Sequence, residues 1–167
     1  MKNIILIGMP GSGKSTVGVL LAKLIGYRFI DSDLLIQDAA GKKLYEIIRD
    51  DGIAAFEQLE NKINSEINVD RTVIATGGSV VYYPEAMEHL KSTGTIVFLN
   101  VQKEELEKRI GDFSKRGVLI KHGESFDDLY KERIPLYTKY ADITAFLDNN
   151  DLLENAKEII KILEIEE

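Results

Sequence analysis

The chain has 167 residues, 44% of them hydrophobic and 29% charged, which suits one soluble domain with a full core. A net charge of −7, from 21 basic and 28 acidic residues, disfavours a nucleic acid or an anionic membrane as partner, but not a small anion held in a local positive pocket. The absence of cysteine removes disulfides, thiol chemistry and cysteine-ligated zinc, and fits a cytoplasmic protein.

The first apolar run, Ile4-Ile5-Leu6-Ile7, reads as a buried strand over 3–8, too short for the apolar region of a signal peptide. It leads into Gly8-Met9-Pro10-Gly11-Ser12-Gly13-Lys14-Ser15, which fits G-x-x-x-x-G-K-[ST] in a strand–loop–helix context. Glycines let such a loop curl until several N–H groups face one phosphate, and the following helix adds its positive N-terminal end. Gly11, Ser12, Gly13, Lys14, Ser15 and Thr16 are therefore expected to hold ATP. Lys14 is expected to reach the β- and γ-phosphates, and Ser15 to ligate Mg²⁺.

Residues 14–25 carry Val17, Leu20, Leu21, Leu24 and Ile25 at helical spacing, and Gly26 stops that helix. A second strand is expected over 27–31, then helix over 33–50 with a break near Gly41, and a further helix over 53–67. A third strand over 72–75 ends in Thr76-Gly77-Gly78, and Pro84 starts a helix over 84–91. The pattern continues with a strand over 95–99, a helix over 103–110, and an aperiodic glycine-bearing segment over 111–125. Residues 126–133 read as helix, with Pro135 starting a separate turn. A fifth strand over 143–147 and a final helix burying Leu152, Leu153, Ala156, Ile159, Ile160 and Leu163 complete the chain.

Strands alternate with helices and most strands are continuous apolar runs. A parallel five-stranded sheet covered on both faces is expected, a three-layer α/β/α fold in a single domain spanning 1–167. No stretch approaches the roughly 18 apolar residues of a membrane span. Ligands in such sheets bind beyond the carboxyl ends of the strands, so the phosphate loop, Asp31, Asp33 and Thr76-Gly77-Gly78 should converge on one crevice.

With these residues in place the chain resembles the shikimate kinases over nearly its full length. Besides the phosphate loop, Asp31-Ser32-Asp33 matches the family's Asp-x-Asp, and Thr76-Gly77-Gly78 most of its glycine motif. Arg109 matches the arginine against the adenine, Arg116 the lid arginine, and Glu132-Arg133-Ile134-Pro135-Leu136-Tyr137 the Arg-x-Pro-Leu-Tyr segment. The resemblance implies a P-loop kinase fold, with a lid over about 111–125 and acceptor-binding helices over about 33–67. It implies phosphoryl transfer from ATP to a hydroxyl of a small metabolite, shikimate by default, in aromatic amino acid biosynthesis. Lys14, Asp33 and Arg116 would be catalytic, with Asp33 the proton acceptor. Arg109 and Arg116 would join the phosphate loop in binding ATP. Ser15 and Asp31 would serve the metal. Asp33, Glu57, Gly77, Gly78, Ser79 and Arg133 would meet the acceptor. A monomer is expected.

The chain departs from the family at three places. The family's Phe-Arg-x-x-Glu is Phe56-Glu57-Gln58-Leu59-Glu60 here, so a carboxylate replaces an acceptor-holding arginine. Ser79 stands at the third glycine of the glycine motif, and the lid reads Arg116-Gly117-Val118-Leu119 rather than Arg-Pro-Leu. If Glu57 faces the pocket, an acceptor carboxylate is repelled, and an uncharged or cationic alcohol becomes the alternative acceptor. A non-catalytic nucleotide-binding sensor is the alternative of another class; the retained Lys14, Asp33 and Arg116 argue against it.

Overall fold

The computed structural model describes residues 2–111, 118, 123–148 and 151–165. Arg116 and most of the segment expected as a lid lie outside the described residues.

Five parallel strands form one sheet in the order β2-β3-β1-β4-β5. They are β1 (Asn3–Ile7), β2 (Arg28–Asp31), β3 (Thr72–Ala75), β4 (Gly94–Asn100) and β5 (Ile143–Phe146). The helices are α1 (Lys14–Ile25), α2 (Ser32–Ala40), α3 (Leu44–Asp51), α4 (Ile53–Glu66), α5 (Pro84–Thr93), α6 (Lys103–Ile110), α7 (Phe126–Tyr140) and α8 (Leu152–Ile162). A 3₁₀ turn over Val80–Tyr82, which has no sequence period to announce it, links β3 to α5.

β1 is central because it is apolar on both faces: every residue of Asn3–Ile7 is buried. It pairs with β3 through Leu6 and Ala75 and with β4 through Ile7 and Phe98, so the strand ends are level. Thr76 continues the pairing past β3, its N–H and its hydroxyl both donating to Leu6 O, at 3.2 and 2.9 Å. The carboxyl ends of β1, β2 and β3 therefore open onto one edge.

A second, smaller core of Ile36, Leu44, Ile47 and Phe56 binds α2, α3 and α4 together at that edge. The break expected near Gly41 is real: Gly41 caps α2 with φ 65°, a left-handed conformation that glycine adopts without steric cost.

The helix expected to end at Arg133 does not. α7 runs to Tyr140 with Pro135 inside it. Proline removes one helical hydrogen bond, but burial around it decides the outcome. Tyr137 is fully buried, stacks on Phe98 of β4 at 5.2 Å between ring centroids, and donates its hydroxyl to Gly78 O at 2.6 Å. Only a helical turn after Arg133 brings Tyr137 to that place. Pro135 itself is exposed. Pro135→Ala should therefore stabilise the protein by about 2 kcal/mol, through the recovered amide and the better helix propensity. Chemical denaturation at fixed pH measures it, and a loss of stability would show that the ring's own packing outweighs the missing bond.

Candidate active site

The site begins where β1 ends. Gly13, at φ 87°, turns the loop into α1, a conformation that an L side chain would strain. Lys14 is the first residue of α1, and its ammonium folds over the loop, donating to Gly8 O at 2.8 Å and Met9 O at 2.9 Å. Burial is the main cause that lowers its pKa from 10.5 to about 8; Asp33 and Asp31 oppose that shift.

Asp31 sits at the end of β2 and joins two parts of the site. Its Oδ2 accepts from Ser15 Oγ at 2.5 Å, and its Oδ1 accepts from the Asp33 N–H at 3.0 Å, capping α2. Asp31 is thus the helix cap, and the Asp33 side chain lines a cavity of about 260 Å³. Burial, then the neighbouring Asp31 carboxylate, raises the Asp33 pKa from 3.8 to about 6, with Lys14 opposing.

Gly77 and Gly78 form the floor. A Cβ on Gly77 would lie 2.7 Å from Glu60 Oε1 and 2.8 Å from Asp33 Oδ1. A Cβ on Gly78 would lie 2.9 Å from Arg133 Nη1. Real Cβ atoms do not come that close, so the absence of both side chains lets two carboxyls and a guanidinium gather on one surface. Arg133 is 1% exposed, which makes it part of the interior and not half of a surface ion pair. Its Nε donates to Tyr82 OH at 3.2 Å, and its guanidinium lies 5.2 Å from the centroid of that ring.

Lys14, Ser15, Thr16, Gly11, Gly13, Asp33, Gly77, Gly78, Ser79 and Arg133 all line the one cavity. Ser12 is buried inside the loop. Arg109 borders a separate cavity of about 120 Å³ beside it, where its Nη1 donates to Gly11 O at 3.3 Å and its Nε to Glu105 at 3.0 Å.

Glu57 is placed differently from the expectation: it is half-buried and is not part of the described cavity wall. The reason is helical geometry. Phe56 and Glu60, four apart on α4, share the inward face, whereas Glu57 lies about 100° round the axis from Phe56 and about 60° from Glu60, at the edge of that face. Burial first, then Glu60, raises the pKa of the Tyr83 hydroxyl, and the Glu57 charge adds to that rise.

Glu60 matches the glutamate of Phe-Arg-x-x-Glu by spacing, but the sequence assigns it no role; its i, i+4 pairing with Phe56 marks its face. It is fully buried and lines the cavity. Its Oε2 accepts from Ser79 Oγ at 2.6 Å and Tyr83 OH at 2.9 Å.

Residues 10–164 match the family model for shikimate kinase. The shikimate kinase of Persephonella marina is 34% identical over 161 residues, covering 96% of this chain and 98% of that protein. That of Synechococcus sp. strain CC9902 is 37% identical over 166 residues, covering 97% and 86%. The chain belongs to the shikimate kinase family. Membership makes it an ATP-dependent small-molecule kinase. A solved shikimate kinase from Acinetobacter baumannii, in complex with shikimate, superposes with a TM-score of 0.91 at 30% identity, over 98% of this chain and 93% of that one. The P-loop kinase fold expected from the strand–helix alternation is the fold of these shikimate kinases.

Burial pushes the Glu60 carboxyl from 4.5 up to about 7, against the pull of the Ser79 and Tyr83 hydrogen bonds. A folded-state pKa above the unfolded value favours the protonated form, so this group's contribution is complete below pH 4.5 and is lost as pH rises through 7. The loss is on the order of 3 kcal/mol. Glu60→Gln should therefore gain stability relative to the wild type by that order between pH 4.5 and pH 8, measured by denaturation at both pH values. A gap that does not change with pH would show that Glu60 titrates normally.

Proposed function

We propose that this shikimate kinase family member transfers the γ-phosphoryl group of ATP to a hydroxyl of shikimate. The observation that carries the reading is the convergence of Lys14, Asp33 and Arg133 on one cavity over Gly77 and Gly78. Phosphoryl transfer needs positioning and neutralised charge more than covalent help. The phosphate loop and Lys14 supply donors and charge on one wall. Arg133, held by Tyr82, offers the acceptor's carboxylate a fixed guanidinium on the other. Asp33 accepts the proton of the attacking hydroxyl, and its pKa of about 6 leaves it ionised at neutral pH yet basic enough to take that proton.

The Ser15 hydroxyl and the Asp31 carboxylate, 2.5 Å apart, are the hard oxygen donors that suit Mg²⁺. Bound there, Mg²⁺ supplies positive charge to the phosphate oxygens. Arg109 bounds the nucleotide side through Gly11. Arg116 is proposed to close over the phosphates on family resemblance alone. No described helix is long and apolar enough to cross a membrane.

One observation favours a second reading, a hydroxylated acceptor without a carboxylate. The described cavity wall carries two carboxyls, Asp33 and Glu60, against the single guanidinium of Arg133. ADP release with shikimate, polyols and amino-alcohols separates the two readings.

For Asp33 the sign is fixed by chemistry: the ionised form is the base, so activity falls as pH drops through about 6. The expected kcat/KM for shikimate declines tenfold per unit below that pH. Asp33→Asn is expected to lower kcat about 100-fold or more with ATP affinity little changed. If ATP binding collapses while turnover per bound ATP survives, Asp33 is a structural or metal residue instead.

A further inference from the structure

The reading above gives the acceptor's carboxylate to Arg133, but a guanidinium on a long, flexible side chain does not hold its direction by itself. Arg133 is 1% exposed, so its N–H groups need partners from the protein. Two phenols serve it. Tyr137, stacked on Phe98 in the core, is hydrogen-bonded to Arg133 and gives its own hydrogen to Gly78 O at 2.6 Å. Tyr82 accepts from Arg133 Nε at 3.2 Å, and its ring centroid lies 5.2 Å from the guanidinium carbon.

Tyr137 is also a core residue, whereas Tyr82 is not. It is half-buried and belongs to neither hydrophobic core. No motif in the sequence marks it. Its place comes from the glycine strip. The Val80 N–H donates to Gly77 O at 3.3 Å and the Tyr82 N–H to Ser79 O at 3.0 Å, so the chain leaves the strip in a 3₁₀ turn of three residues. Residues three apart in such a turn lie one above the other, which sets Tyr82 over the cavity-lining Ser79 and against α7.

The phenol has a second partner, Glu132. An N–H only donates and a carboxylate only accepts, so Tyr82 accepts from Arg133 and donates to Glu132. One hydroxyl thus bridges two consecutive side chains of α7. An ionised acceptor at one end of such a chain polarises the phenol oxygen and strengthens its hold on Nε. With Nε engaged in this way, a carboxylate in the cavity is offered the terminal nitrogens of the fork. Nη1 stands beside the strip, 2.9 Å from the place of a Gly78 Cβ.

We propose that Tyr82, backed by Glu132, is a positioning residue for acceptor binding, fixing the Arg133 guanidinium so that its terminal nitrogens meet the acceptor's carboxylate. The inference rests on the shikimate reading above and adds to it two residues that lie outside the described cavity wall. A guanidinium ordered in advance loses little freedom when the acceptor arrives, which is where the two residues act.

The test is initial-rate kinetics, by ADP release, for wild type, Tyr82→Phe, Tyr82→Leu and Glu132→Ala, with shikimate and with its carboxamide, which keeps the hydroxyls and lacks the charge. ADP affinity by calorimetry serves as the check that each variant is folded. Tyr82→Phe keeps the ring and loses the hydrogen bond. It is expected to raise KM for shikimate about 5-fold with kcat nearly unchanged, the scale of one long side chain losing its order. Tyr82→Leu loses the ring as well and is expected to raise KM about 20-fold. Glu132→Ala is expected to raise KM about 3-fold, and it carries the test if the Tyr82 variants do not fold. On the carboxamide, kcat/KM of each variant is expected within about twofold of wild type, because the charge that Arg133 meets is absent. Losses that are equal on shikimate and carboxamide, or that fall on kcat with KM unchanged, would overturn the inference and leave shikimate phosphorylation standing. A wild type that releases no ADP with shikimate would remove both.

Discussion

The cavity beyond the phosphate loop depends on two missing side chains. Gly77 and Gly78 leave a bare strip of backbone at the end of β3, and Asp33, Glu60 and Arg133 close onto it from three different helices. A single methyl group at either position would collide with a carboxylate oxygen or a guanidinium nitrogen. The strip is held from behind by Tyr137, whose hydroxyl donates to Gly78 O and whose ring stacks on Phe98. The same helix carries Arg133 one turn earlier, so one packing contact sets both the floor and its cation. The exposed proline in α7 is tolerated because continuing the helix secures this contact.

Electrostatics then divides the cavity by distance from the phosphate loop. Lys14 and the N-terminus of α1 make the loop side positive. The opposite side gathers two carboxyls that burial drives toward neutral pKa values. For Asp33 burial and then Asp31 drive that rise, and Lys14 opposes it. Glu60, deeper, is held by hydroxyls rather than by a full charge. Hydroxyl donors permit both protonation states, whereas an arginine partner would fix the carboxylate as ionised.

Much of this was legible in the sequence because the strongest signals are local. The phosphate loop, the glycine caps and the apolar strands each follow from residues within one turn or one strand, and α1, β3 and α6 fall on their expected bounds. The course of α7 was not legible, since Pro135 argues for a stop and the burial that overrides it comes from β4, far away in the chain. Asp31 as the cap of α2 was likewise hidden, because either aspartate of Asp31-Ser32-Asp33 satisfies the local rule. Position 57 drew notice for its departure from the family, yet it lies at the edge of the inward face of α4 and is not among the residues of the described cavity wall. The residue that fills the wall is Glu60, whose role emerges only when Ser79 and Tyr83 are seen folding back over the glycine strip. Arg116 stays a matter of family resemblance.

The glycine strip can be tested alone, since it touches the acceptor side and not the nucleotide side. Isothermal titration of Gly77→Ala with ADP and then with shikimate measures the two halves separately. ADP affinity should stay within about twofold of wild type, and shikimate affinity should fall at least about tenfold, because Asp33 and Glu60 must both retreat from the added methyl. Unchanged shikimate affinity in a folded Gly77→Ala protein would contradict the account, for the carboxyls would then not meet over Gly77 when the acceptor binds.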